Sequence, residues 1–345
     1  MRFVVAGAVL VMSAGAAWAE APAAPNMAIY SFPKPPDGFR PIAASDEDLA
    51  KYGLPPRPRA AGKNQISSAA WSRAMAAAKQ AVTPQVMATG RRHIRALMAN
   101  TAQTTHRAGT FLSTNWAGQT ILGNAGSFGG SSYAEVLGQW QLPVVQQAIG
   151  TCGGTDVSSM WVGIDGASSS NDVLQAGTEA DVSCGGGYTQ PSYYAWFEWY
   201  PNYEYEITNF PVAPGESVFV VVQATSAATA RAIFVDLQSG QYTAVGFSAP
   251  AGTRLIGDSA EWIVERPSIN NALGRLADYG LAWMSSEVAF LEGNLNTGIY
   301  DVAGSGGAGR TPYVLDMVDA NGNPLADALP QGPSADVFNV TGSAY

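Results

Sequence analysis

From Phe111 to the C terminus, 235 residues contain no histidine and no lysine. That absence removes several mechanisms at once. A Ser-His-Asp or Cys-His triad cannot be assembled within this part. No lysine is available for a Schiff base, and a histidine-ligated zinc site is excluded. Carboxylates and tyrosines are what remain for acid–base work. Cysteine is scarce as well: Cys152 and Cys184 are the only two in the chain. In a secreted chain such a pair most simply forms one disulfide, which would stabilise by roughly 3–4 kcal/mol in the chain-entropy account. No calcium-loop motif is present, and neither a metal nor a cofactor is expected.

Positive charge is confined to one end. Residues 20–110 carry 12 Lys+Arg against 5 Asp+Glu, whereas 111–345 carry 5 arginines against 22 Asp+Glu. Both histidines, His93 and His106, lie in the basic part. The acidic part is a poor partner for phosphate or nucleic acid. A basic segment beside it would be attracted to it.

The first nineteen residues, MRFVVAGAVLVMSAGAAWA, combine one basic residue, an apolar run and a small-x-small end at Ala17-Trp18-Ala19. This reads as a signal peptide cut after Ala19, so a secreted protein, extracellular or periplasmic, is expected, with no membrane span. Residues 20–60 are rich in Pro and Ala and read as extended, with one short acidic helix near SDEDLAKYG. Residues 66–100 have helix-forming composition broken by Pro84 and Gly90. Together, 20–110 read as a basic, partly helical prosegment that covers an oppositely charged domain.

From residue 111 the texture changes to short runs rich in Val, Tyr, Phe, Trp and Thr between Gly, Ser, Asn and Pro clusters. The spacing predicts strands over 133–142, 158–165, 192–200, 217–226, 230–238, 259–265 and 281–290, hence an antiparallel sandwich or barrel. Strand parity sorts their side chains. Tyr194, Trp196, Glu198 and Tyr200 share one face. Trp161 and Asp165 share another, and Glu261, Ile263 and Glu265 a third. Several strands therefore put acids among large aromatics on one face, with an apolar face behind. Large aromatics on an open face imply that something covers or binds them. A carboxylate-based peptidase, a glycosidase with paired carboxylates and a non-catalytic carbohydrate-binding module all fit that pattern. The basic prosegment favours the peptidase, because a zymogen needs inhibition before secretion.

Five motifs then carry a resemblance: STNWAG (113–118), WVGIDG (161–166), VLQAG (173–177), YAWFEWYP (194–201) and SAEWIVERP (259–267). They come in the order seen in the glutamic endopeptidases called eqolisins, and the resemblance covers essentially all of 111–345. The phrase SDEDLAKYGLPPRP also resembles family precursors. The resemblance implies an all-β sandwich of two curved, largely antiparallel sheets with the site in the concavity. It implies a Gln–Glu dyad at Gln175 and Glu265, with Glu261 as the non-dyad acid. It places Trp116, Trp161, Asp165, Glu198 and Tyr200 as cleft or supporting residues. The family's threonine after the dyad glutamine is replaced here by Ala176.

Those residue types suit peptide hydrolysis, which needs a general base for water and a donor for the oxyanion. A carboxylate base working in acid is expected to be held ionised by hydrogen bonding, and the resemblance implies acidic working conditions. Acid would also weaken attraction between the domain and its prosegment, with self-cleavage expected near 107–112. Protein or peptide substrates, the chain's own prosegment as inhibitor and a monomeric state are expected.

Overall fold

Strand Ser217–Ser226 (SVFVVVQATS) carries an unbroken apolar run from Val218 to Val222, which a strand tolerates only when both of its faces are covered. The computed structural model shows both covers. It describes residues 27–58, 65–99, 110–123, 126–148, 150, 152–292, 300–302, 312–330 and 337–342. The leader at 1–19, His106 and residues 107–109 of the expected processing stretch 107–112 lie outside the described residues.

Two layers of largely antiparallel strands face each other. The first runs Pro312–Val318, Trp116–Leu122, Ser259–Glu265, Ser159–Ile164, Val173–Gly185, Tyr188–Tyr200 and Tyr205–Ile207. The second runs Leu281–Leu291, Tyr133–Gln141, Ser217–Ser226, Thr229–Asp236 and Gln241–Ser248. Pairing passes from one layer to the other through Pro324–Pro330 and Val337–Gly342. The core between the layers takes alternate residues from each: Val162, Ile164, Phe197, Trp199 and Trp262 from the first, Trp140, Val218, Val220, Val222 and Phe234 from the second. This is the expected sandwich. All seven predicted strands are present within a few residues, and Cys152 and Cys184 are bonded, with Cα atoms 5.2 Å apart.

The basic N-terminal residues wrap this sandwich. Ser45 caps helix Asp46–Lys51, its Oγ accepting from the Asp48 N–H at 3.1 Å. Asp46, Glu47 and Asp48 fill the first turn, where the helix dipole favours acids. Helix Gln65–Ala77 follows, and lays Trp71, Ala74 and Met75 on the outer face of the second layer, against Phe219, Val221, Ile233 and Val235. The other parity of the apolar strand is thereby buried. The Trp71 indole N–H donates to the Pro55 carbonyl at 3.1 Å.

Helical structure does not continue to residue 100 as the composition suggested. After Ala77 the chain is extended. Gln80–Ala81 pairs with Gln241–Tyr242, Val86–Ala88 with Tyr205–Ile207, and Arg91–Arg92 with Ser268–Ile269. Pro84 removes an N–H and Gly90 favours a positive φ, here +80°. No stretch between them is long enough to nucleate a helix, and open sheet edges supply the backbone partners instead.

Trp71→Ala in the full chain should lower the unfolding free energy by about 3–5 kcal/mol, the range for removing a buried aromatic. Urea titration checks this. A loss below about 1 kcal/mol would mean that the helix only rests on the sheet.

Candidate active site

The outer face of the first layer gathers side chains of one parity from five adjacent strands. Reading across the register, Thr120, Glu261, Gly163, Gln175 and Glu198 form one row. Trp116, Glu265, Ser159, Glu179 and Tyr194 form another, four residues further along. Between them lie Ile263, Trp161, Gly177 and Trp196. The glycines are needed there: a Cβ at Gly177 would stand 2.5 Å from the Cβ of Trp161, and one at Gly163 2.7 Å from its ring. Without them the indole of Trp161 could not lie across its neighbours. Trp116 meets Trp161 edge to face at 4.8 Å.

Into this face the N-terminal residues insert His93. Its ring is buried and stacks on Trp196, with centroids 3.7 Å apart and planes 1° from parallel. Its Nδ1 lies 3.1 Å from Oε2 of Glu265. Its Nε2 lies 2.7 Å from Oε2 of Glu204 and 3.2 Å from Oε1 of Glu179. The backbone is held as well. The His93 N–H donates to Oε2 of Glu198 at 2.9 Å, and the His93 carbonyl accepts from Nε2 of Gln175 at 2.7 Å. Gln175 and Glu265 are thus brought to one residue, the first on its carbonyl and the second on its imidazole.

The rest of the strap crosses the cleft in extended form. The Arg91 carbonyl accepts from the Glu204 N–H at 3.0 Å, and the Ala96 N–H donates to the Gly166 carbonyl at 3.1 Å. Asn115 takes the far side: its Oδ1 accepts from the Leu97 N–H at 2.8 Å, and its Nδ2 donates to the carbonyls of Ile94 and Arg95. The same Nδ2 lies 3.4 Å from Oε1 of Glu265. Arg91 adds a second cation, 3.1 Å from Glu179 and 2.5 Å from Asp181.

Burial and charge compete in this cluster. Burial alone would lower the His93 pKa, but hydrogen bonds to Glu179, Glu204 and Glu265 outweigh it and hold it well above 6.5. The ring is therefore an imidazolium, donating from both nitrogens. Burial would raise Glu179, yet His93 and Arg91 bring its pKa below 4.5. For Glu265 burial wins. Its pKa is raised, with the imidazolium and the Trp161 N–H, donated at 2.9 Å, offsetting only part. This differs from the expectation of a base held low by hydrogen bonds; the strap excludes the water that would stabilise the charge. Glu198 is pushed well up by burial first, against His93, with Glu204 and Glu265 adding to the rise.

The remaining sequence candidates divide. Trp161 and Glu198 touch the dyad candidates or the strap. Trp116 is fully buried in the small aromatic cluster beneath, and Tyr200 is half-buried at its margin. Asp165 stands in a supporting place: its carboxylate accepts from the N–H groups of Ile256, Gly257 and Asp258 at 2.7–3.1 Å, and pins that loop. Its pKa is pushed up to about 8 by burial, with Asp172 adding. Glu261 is buried, with a pKa well above its ordinary value because of burial and the nearby Asp165 and Asp258 charges.

Sequence reasoning did not single out His93, Glu179, Glu204 or Asn115. The signal available was that His93 is one of only two histidines in a chain whose acidic part has none. His93, Glu179 and Glu204 place possible ligand atoms within 4.8 Å of one another, a set a divalent cation could use. The 2.7 Å separation of His93 from Glu204 is that of a direct charge-assisted hydrogen bond, and the 3.2 Å one from Glu179 is a close ion pair.

Residues 114–328 match the model of the peptidase A4 family. Aspergillopepsin-2 of Aspergillus niger is 29% identical over 243 residues, 66% of this chain and 78% of its own. Scytalidopepsin B of Scytalidium lignicola is 29% identical over 151 residues, 44% of this chain and 51% of its own. The crystal structure of scytalido-glutamic peptidase with a transition state analog inhibitor aligns with a TM-score of 0.51 at 21% identity. It covers 67% of this chain and 98% of that one, and supports the fold. The strap at 91–97 precedes the matched region. An acid-lined face on a β-sandwich, and a family match over more than half of the sequence, lead to one conclusion: this chain belongs to the peptidase A4 family, the eqolisins, and is a peptidase hydrolase.

Proposed function

We propose that the chain is a secreted, acid-active glutamic endopeptidase with Gln175 and Glu265 as its dyad, made with residues 20–110 as its own inhibitor. The observation that carries this reading is the His93 peptide unit. It lies in the cleft as a substrate would, carbonyl oxygen on the Gln175 amide, while its side chain occupies Glu265.

In the open cleft, ionised Glu265 takes a proton from water, and the resulting hydroxide attacks the substrate carbonyl. The Gln175 NH₂ donates to the oxygen as it gains negative charge; an amide keeps that donor at any pH. Glu265 then returns its proton to the leaving amine. The Trp161 N–H and Asn115 amide hold the Glu265 carboxylate in place. With the strap bound, none of this can proceed, because both groups are engaged by His93.

The strap's pH dependence follows from the shifts. His93 has a raised pKa, so its contribution is complete below 6.5 and is lost only as pH rises through the raised value. The raised pKa values of Glu198 and Glu265 also favour the closed form as pH falls, since closure helps them hold protons. Glu179 acts oppositely: its contribution is present above 4.5 and is lost as pH falls through its lowered value. The strap is therefore held through mild acidity and released in stronger acid.

Glu265→Gln should cost about 100- to 10,000-fold in peptidase activity, and Gln175→Ala about 100- to 1,000-fold. Glu261→Gln, which replaces a carboxyl already kept neutral, should retain activity. Casein hydrolysis in acid, with circular dichroism to confirm folding, checks all three; a fully active Gln175→Ala or Glu265→Gln chain would exclude the dyad.

N-terminal sequencing across a pH series should show chain shortening begin below about pH 4.5 and not near 6.5. In His93→Gln, which loses the cation, shortening should start about one pH unit higher. Onset near pH 6.5 in the unaltered chain would mean that histidine titration governs release.

A further inference from the structure

We propose that Glu204, Glu179 and Trp196 form the subsite for the substrate side chain on the acyl side of the cut bond, and that this subsite selects arginine and lysine. The inference rests on the Gln175–Glu265 reading, because the bond to be cut is located by the carbonyl that Gln175 holds.

That carbonyl belongs to His93, so the His93 side chain marks the pocket for the residue that supplies it. The pocket is specifically equipped. Its wall is the flat indole of Trp196, fixed by its own N–H donated to Ser159 Oγ at 3.0 Å. At its end are two fully buried carboxylates, Glu204 and Glu179. Tyr194 orients Glu204 by donating to its Oε1 at 3.0 Å. An apolar substrate side chain would satisfy the wall and leave both carboxylates buried without a cation. An aromatic one would gain the stack alone. A guanidinium gains both, since it is planar, stacks on an indole and forks onto carboxylates. Lysine gains the charge pair with a weaker contact to the ring.

Histidine at this position does something else. Its Nδ1 reaches Glu265 while its Nε2 pairs with Glu204. It binds the pocket and occupies the base together, which suits a strap and not a substrate. The longer arginine and lysine stems carry their charge past Glu265.

The test uses the full chain after incubation in acid, with quenched fluorescent peptides that differ only at the acyl-side residue: Arg, Lys, His, Phe, Leu or Glu. Mass spectrometry fixes the bond cut. The expected kcat/KM for Arg exceeds that for Leu by at least about 10-fold, Lys follows, and the His peptide inhibits more than it turns over. Glu204→Gln should reduce the Arg-to-Leu ratio at least about 5-fold. Arg and Leu peptides cut within about 2-fold of each other, or a ratio that Glu204→Gln leaves unchanged, overturns the subsite. The peptide series on the unaltered chain decides the matter even if Glu204→Gln fails to fold. A Glu265→Gln chain that still cuts the peptides would instead overturn the dyad. Loss of cutting in that chain, together with a flat peptide series, removes the subsite alone.

Discussion

A buried imidazolium among carboxylates organises the functional face of this protein. Buried charge is costly unless it is paired and hydrogen-bonded. Here Glu179, Glu204 and Glu265 surround one ring, and Trp196 stacks beneath it. In the closed form each side offsets the burial cost of the other. Remove the ring and several acids face one another across a dry cleft; remove the acids and a cation is stranded. This mutual need accounts for the strap's path, for the extended backbone that carries it, and for the opposite shifts of Glu179 and Glu265. Glu179 has two cations beside it, His93 and Arg91, and stays low. Glu265 shares one of them and is raised by burial.

The N-terminal residues do more than close the cleft. One stretch extends the sheet edges, one helix supplies the cover that the apolar strand Ser217–Ser226 requires, and the strap crosses the acid-lined face. The two contacts differ in physical kind. The helix is held by apolar burial, which is insensitive to protonation. The strap is held by ion pairs and hydrogen bonds to carboxylates, whose strength depends on protonation. A single segment thus combines a permanent type of anchor with a reversible one.

Much of the fold was legible because alternation along a strand is a local property. Tyr194, Trp196 and Glu198 share the face that parity assigns them. The strand that carries Gln175, Val173–Gly185, was not legible as one. Its composition, VLQAGTEADVSCG, is poor in β-branched and aromatic residues, and its place is secured by partners on both sides instead. The extended course of 80–98 was hidden for the same reason: its hydrogen bonds go to edges far away in sequence. Asp165 was expected as a cleft or supporting residue, but what it supports was not legible, since the loop whose N–H groups it accepts lies about ninety residues on.

Composition alone determined that any acid–base step in the acidic domain must use carboxylates or tyrosines, because no histidine or lysine is present there at all. Period-two patterning determined which faces those carboxylates occupy. Only the tertiary structure decided that a histidine from outside the domain meets them. It also gave different surroundings to the two glutamates of SAEWIVERP, which the family resemblance had already set apart. Glu261 stands in the register row of Gln175, yet Glu265, four residues on, is the one that reaches the residue Gln175 holds. Period and composition are set by neighbours along the chain. A contact between His93 and Glu265 spans 172 residues and depends on how the layer curves and on where the strap is anchored.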